Sequence, residues 1–157
     1  MNIKKIKNSI NEVTRKRKKD SKPNAGIVVV KQDGDKYSVL CLVKHDGSLD
    51  ITKGLKNKNE SSLDAAVRET FEESGIFKLD FKWGLKSLTY GLGTVFVAET
   101  SQEPVILPNP ESGKYEHVDY KWMSIDDAIK NENMKGYLIP ALLWARKTIL
   151  ENRDIEI

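Results

Sequence analysis

The 157-residue sequence predicts an α/β fold in which a mixed β-sheet is sandwiched between helices. Three observations point there. Runs rich in Val, Ile, Leu and aromatic residues lie on both sides of one central helical segment. A further segment of helical spacing closes the chain. The composition, 39% apolar and 31% charged, is that of a single soluble globular domain with a sizeable core.

Taken in order, Ala25 to Lys31 and Lys36 to Lys44 read as strands joined at Gln32-Asp33-Gly34-Asp35, where Asp-Gly supplies hairpin chemistry. His45-Asp46-Gly47-Ser48 makes another turn, and Leu49 to Thr52 is a short extended piece that delivers Lys53 and Gly54. Ser61 and Ser62 ahead of Leu63 cap a helix of roughly three to four turns that Gly75 stops. Leu63, Val67 and Phe71, with the less apolar Thr70 and Ser74, form the stripe expected to lie on the sheet. Phe77 to Lys86 and Leu88 to Thr100 follow as strands, the second softened by Gly91 and Gly93, and a loop carries Pro104, Pro108 and Pro110. Glu116 to Met123 is the last strand. Alternation puts Glu116, Val118, Tyr120 and Trp122 on one face of it, so the Glu116 carboxylate needs a partner among bulky residues. Ser124 to Lys130 forms a short helix and Gly136 to Glu151 the closing one.

The net charge of +3 conceals an asymmetry. Residues 1–22 hold nine Lys or Arg against Glu12 and Asp20, which is +7, leaving −4 for the rest. Ile3, Ile6, Ile10 and Val13 recur at helical spacing, so residues 1–22 read as a basic amphipathic helix, with a linker over Asp20 to Asn24, ahead of a domain spanning 23–157. Docking of the apolar stripe on the domain is the favoured role, and binding of RNA phosphates or of an acidic membrane surface by the basic run is the alternative. No aromatic residues interleave the basic run to stack on bases. Cys41, the sole cysteine, sits in an apolar run and reads as a small buried hydrophobe, which fits a reducing cytoplasm. No stretch approaches the roughly 20 apolar residues of a membrane helix, so no membrane partner is expected. Monomer and homodimer are both open.

Chemistry concentrates in the central helix. Glu69 lies three and four residues before Glu72 and Glu73, which crowds three carboxylates on one edge near the helix C-terminus. Each like-charge pair costs about 0.2–0.5 kcal/mol and each carboxylate opposes the macrodipole by about 0.3–1 kcal/mol, so stability alone disfavours the placement. Asp64, Arg68 and Glu72, four apart, form a charge ladder that offsets part of this cost. A divalent cation offsets the rest. Hard oxygen ligands suit Mg²⁺, with Mn²⁺ as substitute, and no His or Cys cluster at zinc spacing is present. The competing reading is a solvated acidic face. Gly54, Glu60 and Arg68, in register with the three glutamates, weigh against it.

The stretch Gly54 to Ile76, GLKNKNESSLDAAVRETFEESGI, resembles the Nudix hydrolase box G-x5-E-x7-R-E-U-x-E-E-x-G-U. Every fixed letter is matched, and the bulky aliphatic slot holds Thr70 instead. The resemblance extends from Ala25 to about Leu150, where Glu116, Trp122 and Asp126-Asp127-Ala128 look like the family's late strand and following helix. It implies a Nudix-type α/β/α sandwich and hydrolysis of a nucleoside diphosphate linked to a moiety X by metal-activated water. It also implies a ligand set of Glu69, Glu72 and Glu73, with the Gly54 carbonyl as an addition, and an Arg68 that orients glutamates. Glu73 and Glu116 are rival general bases. Lys53 stands where relatives carry a phosphate-contacting lysine, although Thr52 replaces the proline before it, and Tyr90 stands near a substrate-contacting tyrosine of dinucleoside polyphosphate hydrolases. Diadenosine tetraphosphate and its kin are therefore the leading substrate class. The alternatives are an RNA 5′-pyrophosphohydrolase or decapping enzyme, an ADP-ribose or nucleotide-sugar pyrophosphatase, and a non-catalytic nucleotide-binding domain.

Overall fold

A computed structural model describes residues 23–155 of the chain. The basic N-terminal helix expected over residues 1–22 and most of its linker lie outside the described residues. The strands are β1 (Asn24–Asp33), β2 (Lys36–Lys44), β3 (Leu49–Asp50), β4 (Thr52–Leu55), β5 (Leu88–Tyr90), β6 (Gly93–Glu99) and β7 (His117–Ser124). Helices α1 (Ser62–Ser74), α2 (Ile125–Lys130) and α3 (Ile139–Ile155) complete the fold, with a 3₁₀ turn at Gly136–Leu138 before α3.

All seven strands join one mixed sheet. β1 pairs parallel with β6 and antiparallel with β2, as expected for a hairpin closed at Asp33↔Lys36. The sheet then forks. Beyond Val30↔Val39 the two strands part, β3 pairing with β2 at Leu42↔Asp50 and β4 with β1 at Ile27↔Thr52. The chain from Leu49 to Leu55 thus crosses the fork, which is what sets Asp50, Lys53 and Gly54 at one edge of the sheet.

Alternation along β1 and β2 sorts the core into two layers. Val28, Val30, Val39 and Cys41 face α2 and α3, with Ile125, Leu138, Leu142 and Ile149. Ala25, Ile27, Val29, Leu40 and Leu42 face α1, with Ala65 and Ala66. Side chains of this size, fully buried, contribute about 1.5–3 kcal/mol each. Cys41 is buried as expected, and burial pushes its thiol up to about 12.

Three sequence expectations are corrected. Phe77 to Lys86 forms no strand beyond a single bridge, Asp80↔Glu99. Its first backbone donors, Phe77 N and Lys78 N, go to the Gln102 side chain, and Gly84 N closes a turn on Phe81 O. Leu88 to Thr100 is two strands, because a two-residue loop with Gly91 at φ 57° folds Tyr90 back onto Gly93. On α1, Phe71 is half exposed and stacks edge-on with Phe77 at the surface. Ala65, Ala66, Thr70, Glu73 and Ser74 are the buried face instead, with Leu63 and Val67 at its margin. The small residues let α1 approach the sheet closely enough to bury a carboxylate.

Candidate metal and phosphate site

The ends of α1 fix its register. Ser61 Oγ accepts from Asp64 N at 3.0 Å, and Gly75, at φ 70°, donates its N–H to Phe71 O at 2.8 Å. That register turns Glu69 and Glu73 toward β4. The Lys53 N–H donates to Glu73 Oε1 at 2.8 Å, and a Cβ added at Gly54 would fall on the Glu69 carboxylate. Gly54 is therefore required by close approach.

Arg68 organises the acids around this edge. Nε and Nη2 donate to the two oxygens of Glu60 at 2.9 and 3.0 Å, Nη1 to Glu69 at 2.8 Å and Glu72 at 3.1 Å, and Nη2 also to Leu55 O at 2.9 Å. Every N–H of the guanidinium is engaged. The expected ladder is confirmed between Arg68 and Glu72, whereas among the described residues Glu60 takes the place expected for Asp64. The Arg68 hydrogen bonds hold the Glu60 carboxyl down, to about 2.

Glu73 is 8% exposed. Burial pushes its carboxyl up to about 9; the Lys53 N–H works the other way, and the charge of Asp50 adds to the rise. Burial also raises Glu69. Two crowded acids with raised pKa values beside a third form a donor set of hard oxygens, which suits a magnesium-type ion that would hold them ionised. Of the expected set Glu69, Glu72 and Glu73, only Glu73 belongs to the group of possible ligands that converges within 4.8 Å among the described residues, with Glu116 and His117.

Glu116 reaches the same place by another route than alternation. It precedes β7, is exposed, and yet offers an oxygen within 4.8 Å of ligand atoms on both Glu73 and His117. The expected shared face of Glu116, Val118, Tyr120 and Trp122 is broken by a bulge, where Val43 pairs with Asp119 and Lys44 with His117, so that Val118 is skipped. His117 takes the inward position and is 3% exposed, while Val118 is half exposed. Sequence reasoning missed His117, since only the bulge brings it in. Its Nδ1 lies 3.4 Å from Glu73 Oε2 and its Nε2 3.7 Å from Asp50 Oδ2.

Asp50 is a second residue the sequence did not single out. Burial opposes its charge, but His117 and Lys53 prevail and hold it down to about 2. The Lys53 ammonium sits 3.2 Å from Asp50 Oδ2 and 5.6 Å from the Tyr137 ring centroid. Lys135 flanks the same ring at 5.9 Å, and burial first, then Lys44, pulls its ammonium down to about 8. Tyr90 ends β5, half buried against the α2/α3 side of the core. Its hydroxyl is raised by burial first and then by Tyr137. Lys53, Lys135 and the exposed Tyr137 thus make a basic, aromatic rim beside the acidic cluster.

The family and the fold are shared with known proteins. Residues 20–144 match the NUDIX domain family. A C. elegans Ap4A hydrolase, solved as a binary complex, is similar at 22% identity and a TM-score of 0.63, covering 83% of this chain and 98% of that one. A Nudix hydrolase from M. smegmatis, RenU, is similar at 13% identity and 0.64, covering 83% and 87%. The NUDIX domain of Shewanella oneidensis NrtR, crystallised with ADP ribose, is similar at 14% and 0.57, covering 80% and 86%. No curated protein matches the chain. Among the described residues no helix is long and apolar enough to cross a membrane.

Proposed function

The chain belongs to the Nudix family, and from that premise we propose that it is a Mg²⁺-dependent pyrophosphohydrolase of nucleoside diphosphates linked to a moiety X, with dinucleoside polyphosphates such as diadenosine tetraphosphate as the favoured class. One observation carries the reading. Glu69 packs on Gly54 while Glu73 accepts from the neighbouring Lys53 N–H, and Arg68 ties Glu60, Glu69 and Glu72 into the same edge.

When bound there, a divalent ion supplies charge neutralisation on the phosphate oxygens and lowers the pKa of a water. The chain's own residues do the remaining work. Arg68 ties Glu60, Glu69 and Glu72 together and orients them, and is not expected to touch substrate. Glu73, fixed by the Lys53 N–H, and Glu116, free at the surface, are the two groups placed to take the proton of an attacking water. Lys53, paired with Asp50, would meet the phosphate chain, and Tyr90 with Tyr137 would line the rim where a nucleoside lies. The substrate class rests on Lys53-Gly54, Tyr90 and the segment from Glu116 to Trp122; the likeness to C. elegans Ap4A hydrolase adds a shared fold.

The test is a nucleotide panel incubated with the full chain and Mg²⁺, with products identified. Dinucleoside polyphosphates should be cleaved fastest, and Glu73→Gln should abolish turnover while leaving the fold intact. Absence of any pyrophosphate cleavage, or cleavage indifferent to Glu73→Gln, overturns the proposal.

A further inference from the structure

We infer that Glu73, Glu116 and His117 form a mixed nitrogen and oxygen cation site beside the all-oxygen pair Glu69 and Glu72, suited to a later first-row transition ion such as Co²⁺ over Mg²⁺. The inference rests on the acidic edge being a cation site and adds a nitrogen ligand that the family box does not contain.

Ligand atoms of the three residues lie within 4.8 Å of one another. His117 is buried with its Nδ1 facing Glu73, and its Nε2, on the side of Asp50, has no hydrogen-bond partner. A buried imidazole ordinarily satisfies its nitrogens. Here the nearest acceptors, Glu73 Oε2 at 3.4 Å and Asp50 Oδ2 at 3.7 Å, are too far for good hydrogen bonds. The 3.4 Å separation instead matches two ligand atoms sharing one ion, which stand about 3.0–3.4 Å apart when each bond is about 2.1 Å. Asp50 lies on the Nε2 side of the ring at 3.7 Å, which leaves Nδ1 as the nitrogen facing Glu73. Asp50 is itself anchored by Lys53 and by the Ile51 N–H at 2.9 Å. Consecutive residues of a regular strand point to opposite faces, and the bulge at Val43–Lys44 is what lets neighbours Glu116 and His117 serve one site. Imidazole nitrogen favours later first-row ions over magnesium, which gives the proposed selectivity.

The full chain, stripped of metal, is titrated with Co²⁺ and with Mg²⁺, alongside His117→Gln. Expected is Co²⁺ binding at least tenfold tighter than Mg²⁺, with His117→Gln removing at least tenfold of the Co²⁺ affinity, shifting the visible Co²⁺ band and leaving Mg²⁺ affinity within threefold. Unchanged Co²⁺ affinity and spectrum, or equal losses for both ions, overturn the inference. The chain has only two histidines, so pulsed EPR of bound Mn²⁺ in His45→Gln reports nitrogen coupling from His117 alone and decides the matter even where His117→Gln does not fold. Retained Mg²⁺ binding without nitrogen coupling sinks this inference only; loss of all cation binding in the wild type sinks the hydrolase reading with it.

Discussion

The hydroxyls of Thr52 and Thr70 meet 2.9 Å apart in a buried position between β4 and α1. These are two places where the chain departs from the family pattern, a threonine in place of a proline and a threonine in place of a bulky aliphatic residue, and the fold brings the two departures into contact. Two protons serve three contacts. The shortest arrangement has Thr70 donate to Ala66 O at 2.7 Å and Thr52 donate to Thr70, with Ile27 O at 3.2 Å as the alternative acceptor for Thr52. Thr70→Val keeps the shape and removes the acceptor, and should cost about 1–2 kcal/mol. With Thr52→Val as well, both polar groups leave together, so the double variant should lose less than the sum of the singles. Denaturant unfolding of the four proteins measures the coupling, and strict additivity would show that the pair does not interact.

Gly54→Ala tests the closeness of α1 to β4. A methyl group would fall on the Glu69 carboxylate, so either that side chain swings out or the helix retreats. Mg²⁺ affinity should drop at least tenfold by calorimetry and turnover should fall with it, because Glu69 leaves the edge. Unchanged affinity would remove Glu69 from the ligand set.

The buried Glu73 carboxyl makes the metal-free protein sensitive to pH in a defined direction. Its folded pKa, about 9, lies above the ordinary 4.5, so between these values the folded state holds a proton that the unfolded chain has released. Stability contributed by this group is therefore full below pH 4.5 and is lost as pH rises toward 9. In EDTA, midpoints of thermal unfolding should fall across that window, and Glu73→Gln should flatten the fall. A divalent ion requires the ionised carboxylate, so added Mg²⁺ should stabilise more at pH 9 than at pH 6. A Glu73→Gln profile parallel to wild type would place the titration elsewhere.

What the sequence made legible was whatever repeats on a local period. The β1/β2 hairpin and the Ser61 and Gly75 caps are short-range, and both appear as read. The misreadings depend on where a remote part of the chain passes. Phe71 has the helical spacing of a core residue, but Ala65 and Ala66 are what bring α1 against the sheet, and Phe71 is left at the surface with Phe77. Phe77 to Lys86 has strand composition but makes a single bridge, Asp80↔Glu99, and its other backbone bonds go to the Gln102 and Thr100 side chains and to a local turn. His117 is one position out of phase for an inward residue of β7, and the register slip opposite Lys44 that turns it inward has no local signal. Asp50 reads as one residue of a short extended piece until the fork between β1 and β2 encloses it at 1% exposure.

Deletion of residues 1–22 separates two readings of the basic segment. β1 begins at Asn24 paired with Leu55, the residue after Gly54, so the segment joins the domain close to the acidic edge. If it serves solubility and docking, cleavage of free dinucleoside polyphosphates should stay within about twofold and stability should fall. A loss confined to 5′-triphosphorylated RNA, steepening as salt is lowered, would reassign it to RNA phosphates.

Arg68→Lys is the most demanding test of how the acids are held. Lysine keeps the charge but offers one ammonium where the guanidinium forks to both oxygens of Glu60 and reaches Glu69, Glu72 and Leu55 O at once. An ammonium can satisfy at most three of these contacts, so the Leu55-to-Glu60 loop and the α1 edge cannot both stay anchored. Loss of such an orienting partner costs metal affinity about 10–100-fold, and Mg²⁺ titration of Arg68→Lys should fall in that range. Because every N–H of the Arg68 guanidinium is engaged by protein oxygens, saturating Mg²⁺ should restore most of kcat and leave KM for nucleotide little changed. A KM that rises while Mg²⁺ affinity holds would mean that the guanidinium meets phosphate directly.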